Sequence, residues 1–246
     1  MNLLFTLLLG LYSFQVKAAP ITVFAASSLT DVLSEIARNY EQETKIKVRI
    51  NFDSSSRLAR QIRSGAEADL FFSASEEWNK YLEEIKRIIP GNTVNVLGNE
   101  LSLVTYKTNK IKLKNFDSIK TAKFKTLCIA QETVPAGKYA HEALKKLGLI
   151  ASVKSRIVLG DNVRNVLGWV GRDEADLGIV FVTDLKAQEK VIELLRFSSE
   201  SHSPIVYPLS LVGNTPKKDA LSFYLYLQGS KSKLIFERFG FKNLLP

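Results

Sequence analysis

Between Phe24 and Leu29 the apolar pattern changes its period, and no other feature limits the fold so strongly. Ile21 to Phe24 is β-branched and aromatic, like a buried parallel strand. From Leu29 the apolar residues return at helical spacing through Val32, Leu33 and Ile36. The chain therefore turns from strand to helix at Ala25–Ser28. Ser28 stands where an N-cap belongs, with Asp31 three residues on as a capping-box-like partner. A helix start offers unpaired backbone N–H groups and the positive end of the helix dipole, so it holds an anion without a cationic side chain. This junction is expected to form one wall of an oxyanion site.

The same sequence of events recurs. The first helix is expected to run to about Thr44, and Ile46 to Phe52 alternates as a second strand. Asp53-Ser54-Ser55-Ser56-Arg57 then leads into a helical pattern through Leu58 and Ile62, which Gly65 and Ala66 end. Ala68 to Ala74 reads as a third strand. This β-α-β-α-β order predicts a parallel sheet with helices on both faces and ligands beyond the carboxyl ends of the strands.

After a helix at Glu76–Ile85, a turn at Pro90-Gly91 and a strand from Glu100 to Tyr106, the pattern starts again. Thr126 to Ala130 is a strand, and Val134-Pro135-Ala136-Gly137 opens a helix over Lys138–Leu147, with Pro135 suited to the first helical position. Arg156 to Leu159 is a strand, Asp161 is expected to cap a helix through Val163, Val166 and Val170, and Ala175 to Phe181 is a strand. Glu67-Ala68-Asp69-Leu70 and Glu174-Ala175-Asp176-Leu177 occupy matching places in the two units, which supports two similar α/β domains. Beyond Ala187–Leu195 and a polar loop at Ser198–Ser203, a strand at Ile205–Val212 and a helix at Asp219–Leu227 return to the first domain, followed by another short helix. The expected division is 19–98 with 208–246 as domain I and 99–207 as domain II. Crossings near 97–101 and 205–210 would then act as a two-strand hinge.

With 246 residues, 46% of them apolar, the chain can build two real cores. Residues 1–18 read as an export signal: Leu3 to Phe14 is apolar but too short to span a bilayer, and Val16-Lys17-Ala18 places small residues at a cleavage point after Ala18 or Ala19. The single cysteine, Cys128, lies inside a strand pattern, leaving neither a disulfide nor a lipidated cysteine after the leader. A periplasmic monomer is expected. The formal charge of +9 comes from scattered residues such as Lys107, Lys110, Lys145 and Lys146 without aromatic interleaving, a solvated basic surface rather than a nucleic-acid groove.

Ala25-Ala26-Ser27-Ser28-Leu29, Ser54 to Ile62, Gly65 to Phe71, Val134 to Ala140 and Asp161-Asn162-Val163-Arg164 together resemble the molybdate-binding proteins of periplasmic ABC importers. The likeness covers essentially the whole mature chain. It implies a type II periplasmic binding protein, α/β, with the ligand in the interdomain cleft, no cofactor, and an inner-membrane ABC permease as partner. Carried over residue by residue, Ser28 and Ser55 are the hydroxyl donors, and Ala136 and Val163 supply backbone N–H groups to the oxygens around the metal. Phe181 departs from the family, which commonly has tyrosine there, and Asp53 departs by putting an acid before the serines.

Molybdate, like tungstate, is a tetrahedral dianion at neutral pH and accepts hydrogen bonds only, so a ring of fixed neutral donors matches it and rejects oxyanions that must donate a proton. Each charge-assisted bond contributes about 1.5–3 kcal/mol. Arg57, Lys138 and Arg164 are expected to be solvated on their helices. The alternatives are a binding protein for another oxyanion such as sulfate, or a serine hydrolase. For the latter the chain lacks Gly-x-Ser-x-Gly at either serine, and His141 and His202 show no partnership with them. There is also no His, Cys or carboxylate spacing for a directly bound metal.

Overall fold

The computed structural model describes residues 19–245, so the expected export signal lies outside it. The chain runs β1 (Ile21–Ala26), α1 (Thr30–Thr44), β2 (Val48–Asp53), α2 (Ser55–Arg63), β3 (Leu70–Phe72), α3 (Glu76–Glu84) and β4 (Ile88–Gly98). It continues through β5 (Leu101–Tyr106), β6 (Leu127–Ala130), α4 (Pro135–Lys146), α5 (Ile150–Val153), β7 (Ile157–Gly160), α6 (Val163–Gly171), β8 (Leu177–Phe181) and β9 (Val191–Arg196). It closes with β10 (Val206–Val212), α7 (Lys218–Gln228), α8 (Ser230–Arg238) and β11 (Lys242–Asn243). These form two sheets, a six-stranded one in the order β11-β4-β10-β3-β1-β2 and a five-stranded one in the order β7-β6-β8-β5-β9.

Period-two burial explains why helices cover both faces of the first sheet. Val23 and Ala25 of β1, with Leu70 and Phe72 of β3, face the cluster that holds Leu33, Ile36 and Tyr40 of α1. Their neighbours Phe24 and Phe71 face the other way, onto Leu58 and Ile62 of α2 and Leu82 of α3.

Each sheet is parallel only in its centre. β1 pairs in parallel with β2 and β3, and β6 with β7 and β8, whereas β10 runs antiparallel to β3 and β4, and β5 antiparallel to β8 and β9. The parallel arrangement expected from the β-α-β order holds for these central strands, and their antiparallel neighbours make both sheets mixed. The cause is topological: the strands that carry the chain from one sheet to the other and back, β4, β5 and β10, have no crossover helix to reverse their direction. The expected turn at Pro90-Gly91 lies inside β4 as an irregularity, with Gly91 at φ 74°. Residues 187–195 end a 3₁₀ stretch and then form β9, and β11 follows the last helix.

The repeated Glu-Ala-Asp-Leu has a structural role in both places. Asp69 accepts the Thr22 N–H at the start of β1 (2.8 Å), and Asp176 accepts the Lys125 and Thr126 N–H groups at the start of β6 (2.6 and 3.0 Å). Both acids therefore pin the third strand of a unit to the first strand, at the end away from the cleft.

Gly137, in the first turn of α4, lets the helix rest directly on the end of β6: a Cβ there would lie 2.0 Å from the Gln131 carbonyl oxygen and 2.3 Å from that of Ala130. Backbone on both sides leaves nothing flexible to yield. Gly137→Ala is expected to destabilise the fold by about 1–3 kcal/mol, the usual cost of overpacking. Urea unfolding measures it, and a stability equal to wild type would show that α4 is free to shift.

Candidate functional site

At the carboxyl ends of the parallel strands, between the two sheets, lies a small cavity whose lining includes Ser28, Ser55, Ala136, Val163 and Phe181. The structure thus brings together five residues that are far apart in sequence. A larger groove runs past Asp69 and Lys217 at the opposite end of β3, beside the start of α7, where these two residues form an ion pair of 2.7 Å.

Three of the four helix entries at the small cavity carry no side-chain cap: the 3₁₀ turn Ser27–Leu29 that leads into α1, then α2, then α4. This corrects the expectation for Ser28, which sits within the turn rather than ahead of the helix and shares a hydrogen bond with Tyr207 instead (Oγ···Oη 2.9 Å). The fourth entry, α6, is capped by Asn162 rather than Asp161, through a bond to the Asn165 N–H of 3.0 Å. That cap serves the third helical residue and leaves the amides of Val163 and Arg164 without an intrahelical acceptor. In α4, Pro135 has no N–H to lose, and Ala136 presents the first amide of the helix.

Ser55 is polarised by its surroundings. Its Oγ accepts the Ala74 N–H at 2.9 Å, so the hydroxyl proton remains for a group in the cavity. Phe181 is only 1% exposed, with its ring between those of Tyr139 and Tyr207 at 6.3 and 5.9 Å. It is both core and cavity wall, and its ring donates no hydrogen bond.

Asp53 would repel an anion if its charge stood free. Instead its carboxylate accepts the Ser54 N–H (2.7 Å) and the Asn162 amide (3.2 Å) and pairs with Arg57 (3.2 Å). Among the described residues that line the cavity there is no lysine, arginine or histidine. The site is built of neutral donors, with one acid already satisfied.

The basic residues next to it are not simply solvated, as their helix positions suggested. Arg57 reaches across to Asp161 (3.5 Å), and Lys138 to Glu77 (2.5 Å). Arg164 departs furthest from the expectation: it is mostly buried, pairs with Asp31 (2.7 Å), and donates to the Ser28 carbonyl (3.3 Å). It also faces the fully buried Asp184, its Nε 2.8 Å from Oδ1 but out of line, so the two form an ion pair rather than a hydrogen bond. Asp184 accepts the Phe181 N–H through its other oxygen (3.2 Å). Burial pushes its carboxyl up to about 6, against the opposing pull of Arg164. Arg164 thus ties α6 to the loop that carries Ser28. Sequence reasoning missed Asp184, and also Asn99 and Tyr207, which stand behind Ser28. The only hint was the presence of polar residues at the ends of strands that are otherwise apolar.

His141 and His202 turn their Nδ1 atoms to the Gly137 and Ser203 carbonyls (3.0 and 2.8 Å) and do not reach either serine. Burial raises the Cys128 thiol to about 11, which leaves it protonated and inert.

A model of the family described as bacterial extracellular solute-binding protein matches residues 21–242. Molybdate-binding protein ModA of Haemophilus influenzae is 39% identical over 229 residues, covering 91% of this chain and 90% of that one. Among solved structures, the periplasmic molybdate-binding protein of Azotobacter vinelandii superposes with a TM-score of 0.81 at 23% identity, over 92% of this chain and 99% of that one. The sulfate-binding protein SubI from Mycobacterium tuberculosis gives 0.80 at 14% identity, over 93% and 88%. The two structural likenesses establish the fold.

The Arg164–Asp184 pair makes a pH-resolved expectation. Replacing Arg164 by Gln leaves the Asp184 carboxylate buried without its counter-charge, which costs about 3 kcal/mol when that carboxylate is ionised. Because the folded-state value of about 6 lies above the ordinary 3.8, the folded protein binds the extra proton between these limits. Arg164→Gln should therefore lose much more stability at pH 7.5 than at pH 5, where Asp184 is largely neutral. Equal losses in urea unfolding at the two pH values would contradict the assignment.

Proposed function

The chain belongs to the bacterial extracellular solute-binding proteins, and from that premise we propose that it captures molybdate, and tungstate with it, for delivery to an ABC importer. Its relatives are binding proteins, and it is a binding protein rather than an enzyme. In this reading residues 1–18 direct export, 19–98 with 208–246 form one lobe, 99–207 form the other, and a single chain closes on the anion about the paired crossings.

The observation that carries the reading is the donor set around the small cavity between the sheets. Hydroxyls of Ser28 and Ser55 come from one lobe, and the first-turn amides of Ala136 and Val163 from the other. Neutral donors held by the backbone suit an anion that accepts from every side and never donates. Charge is offset by helix N-termini, each contributing a fraction of an elementary charge. The contacts across the cleft, Arg57 to Asp161, Lys138 to Glu77 and Arg164 to Asp31, close the rim around it. Selection by size follows from the cavity walls, because long metal–oxygen bonds bring molybdate and tungstate oxygens to donors that a smaller sulfate reaches only loosely.

Isothermal titration against molybdate, tungstate, sulfate and phosphate tests the reading. Molybdate and tungstate are expected to bind with similar heats, and sulfate about 100-fold more weakly, a difference of about 2.7 kcal/mol. Ser55→Ala should weaken molybdate binding by about 1–3 kcal/mol, since one oxygen of the anion loses its partner. Sulfate or phosphate binding more tightly than molybdate would reassign the ligand, and the absence of heat with any of the four would overturn the site.

A further inference from the structure

Behind Ser28 stands a chain of buried hydrogen bonds whose direction is fixed. The Asn99 Oδ1 accepts the Glu100 N–H at 2.9 Å, which turns the amide so that its Nδ2 faces Thr183 Oγ1 (2.8 Å) and Tyr207 Oη (3.1 Å). An amide nitrogen only donates, so the Tyr207 oxygen accepts from Asn99 and has its own proton left to give. Ser28 Oγ, at 2.9 Å, is the acceptor within reach. Asn99, Tyr207 and Ser28 are 8%, 0% and 3% exposed, which leaves no room for bulk water to reverse the order. The Ser28 hydroxyl, already filled on its acceptor side, then points its proton into the cavity. Ser55 reaches the same state through the Ala74 N–H.

We propose that Tyr207, set by Asn99, is a positioning and specificity-determining residue that keeps Ser28 an obligate hydrogen-bond donor, so that the site accepts fully deprotonated tetrahedral dianions and excludes those that carry a proton. This rests on the oxyanion reading of the cavity. Tyr207 does not itself touch the anion: it acts through Ser28. Its ring is held by Phe181 and Phe241 at 5.9 and 5.5 Å, so loss of the hydroxyl alone leaves the packing in place.

The test is titration of wild type, Tyr207→Phe, Ser28→Ala and the double variant with molybdate and with inorganic phosphate, at mildly alkaline pH where phosphate is the monohydrogen dianion. In Tyr207→Phe the Ser28 oxygen is free to accept, so molybdate should weaken several-fold while phosphate tightens, narrowing the molybdate-to-phosphate ratio by about tenfold. In the Ser28→Ala background Tyr207→Phe should change neither affinity, because the relay then ends on nothing. Asn99→Ala frees the phenol oxygen to accept from Ser28 and is expected to move the ratio in the same direction, which keeps the proposal testable if Tyr207→Phe folds poorly. A ratio unchanged in both single variants, or effects that multiply independently in the double variant, would overturn the relay. Wild type failing to bind molybdate at all would instead overturn the reading on which it rests.

Discussion

An anion held out of water with no cation beside it has to be met by donors that cannot turn away. In the proposed reading that constraint organises this molecule. Side-chain hydroxyls and amides rotate, and a rotated donor offers a lone pair where a proton is needed. Backbone N–H groups at the start of a helix are fixed by the helix itself, and the two hydroxyls here are fixed by what donates into them, the Ala74 N–H for Ser55 and, in the proposed relay, Tyr207 for Ser28. The parallel strands at the centre of each sheet serve this end. They send successive helix starts to one edge, and two such edges facing each other surround a small volume from both sides.

Apart from Asp53 in the cavity wall, charged groups are kept at one remove and used for a different purpose. Asp53, Arg57 and Asp161 form a chain across the cleft, as do Asp31 and Arg164, so the acids and bases near the cavity neutralise one another across the two lobes. Exposed pairs of this kind contribute little stability individually. Their value is geometric, since they form only when α6 and the Ser28 loop are close. Arg164 is the exception in energy as well as position. It is mostly buried, with Asp184 behind it, so its placement is held by a partner on its own side of the cleft as well as by Asp31 across it.

The strand-to-helix junctions were legible because a change of apolar period is local, and the hydroxyl and small residues at them follow from the same few positions. The mixed direction of the sheets was not, because β4, β5 and β10 look like any other apolar strand and only their partners give them direction. Ser28 was read as a cap from its place ahead of the apolar run, a local inference that a tertiary partner 179 residues away overrode. Arg164 was read as solvated for the same reason: its helix position says nothing about Asp31 or Asp184. The Glu-Ala-Asp-Leu repeat was legible as a repeat, yet its meaning, an acid that ties parallel strands together at their start, needed the register of both sheets.

Asn99 and Tyr207 occupy a telling position, since each lies on one of the two segments by which the chain passes between the sheets. Asn99 follows β4 directly, its N–H bonded to the Ile205 carbonyl at 3.2 Å, and Tyr207 lies at the start of β10, where the register with β4 shifts. The two crossings are therefore joined both by backbone and by the amide-to-phenol bond. The backbone that links the two sheets is therefore the same backbone that, in the proposed relay, sets the direction of the Ser28 hydroxyl, so the donor polarity of the cavity is built into the crossings themselves.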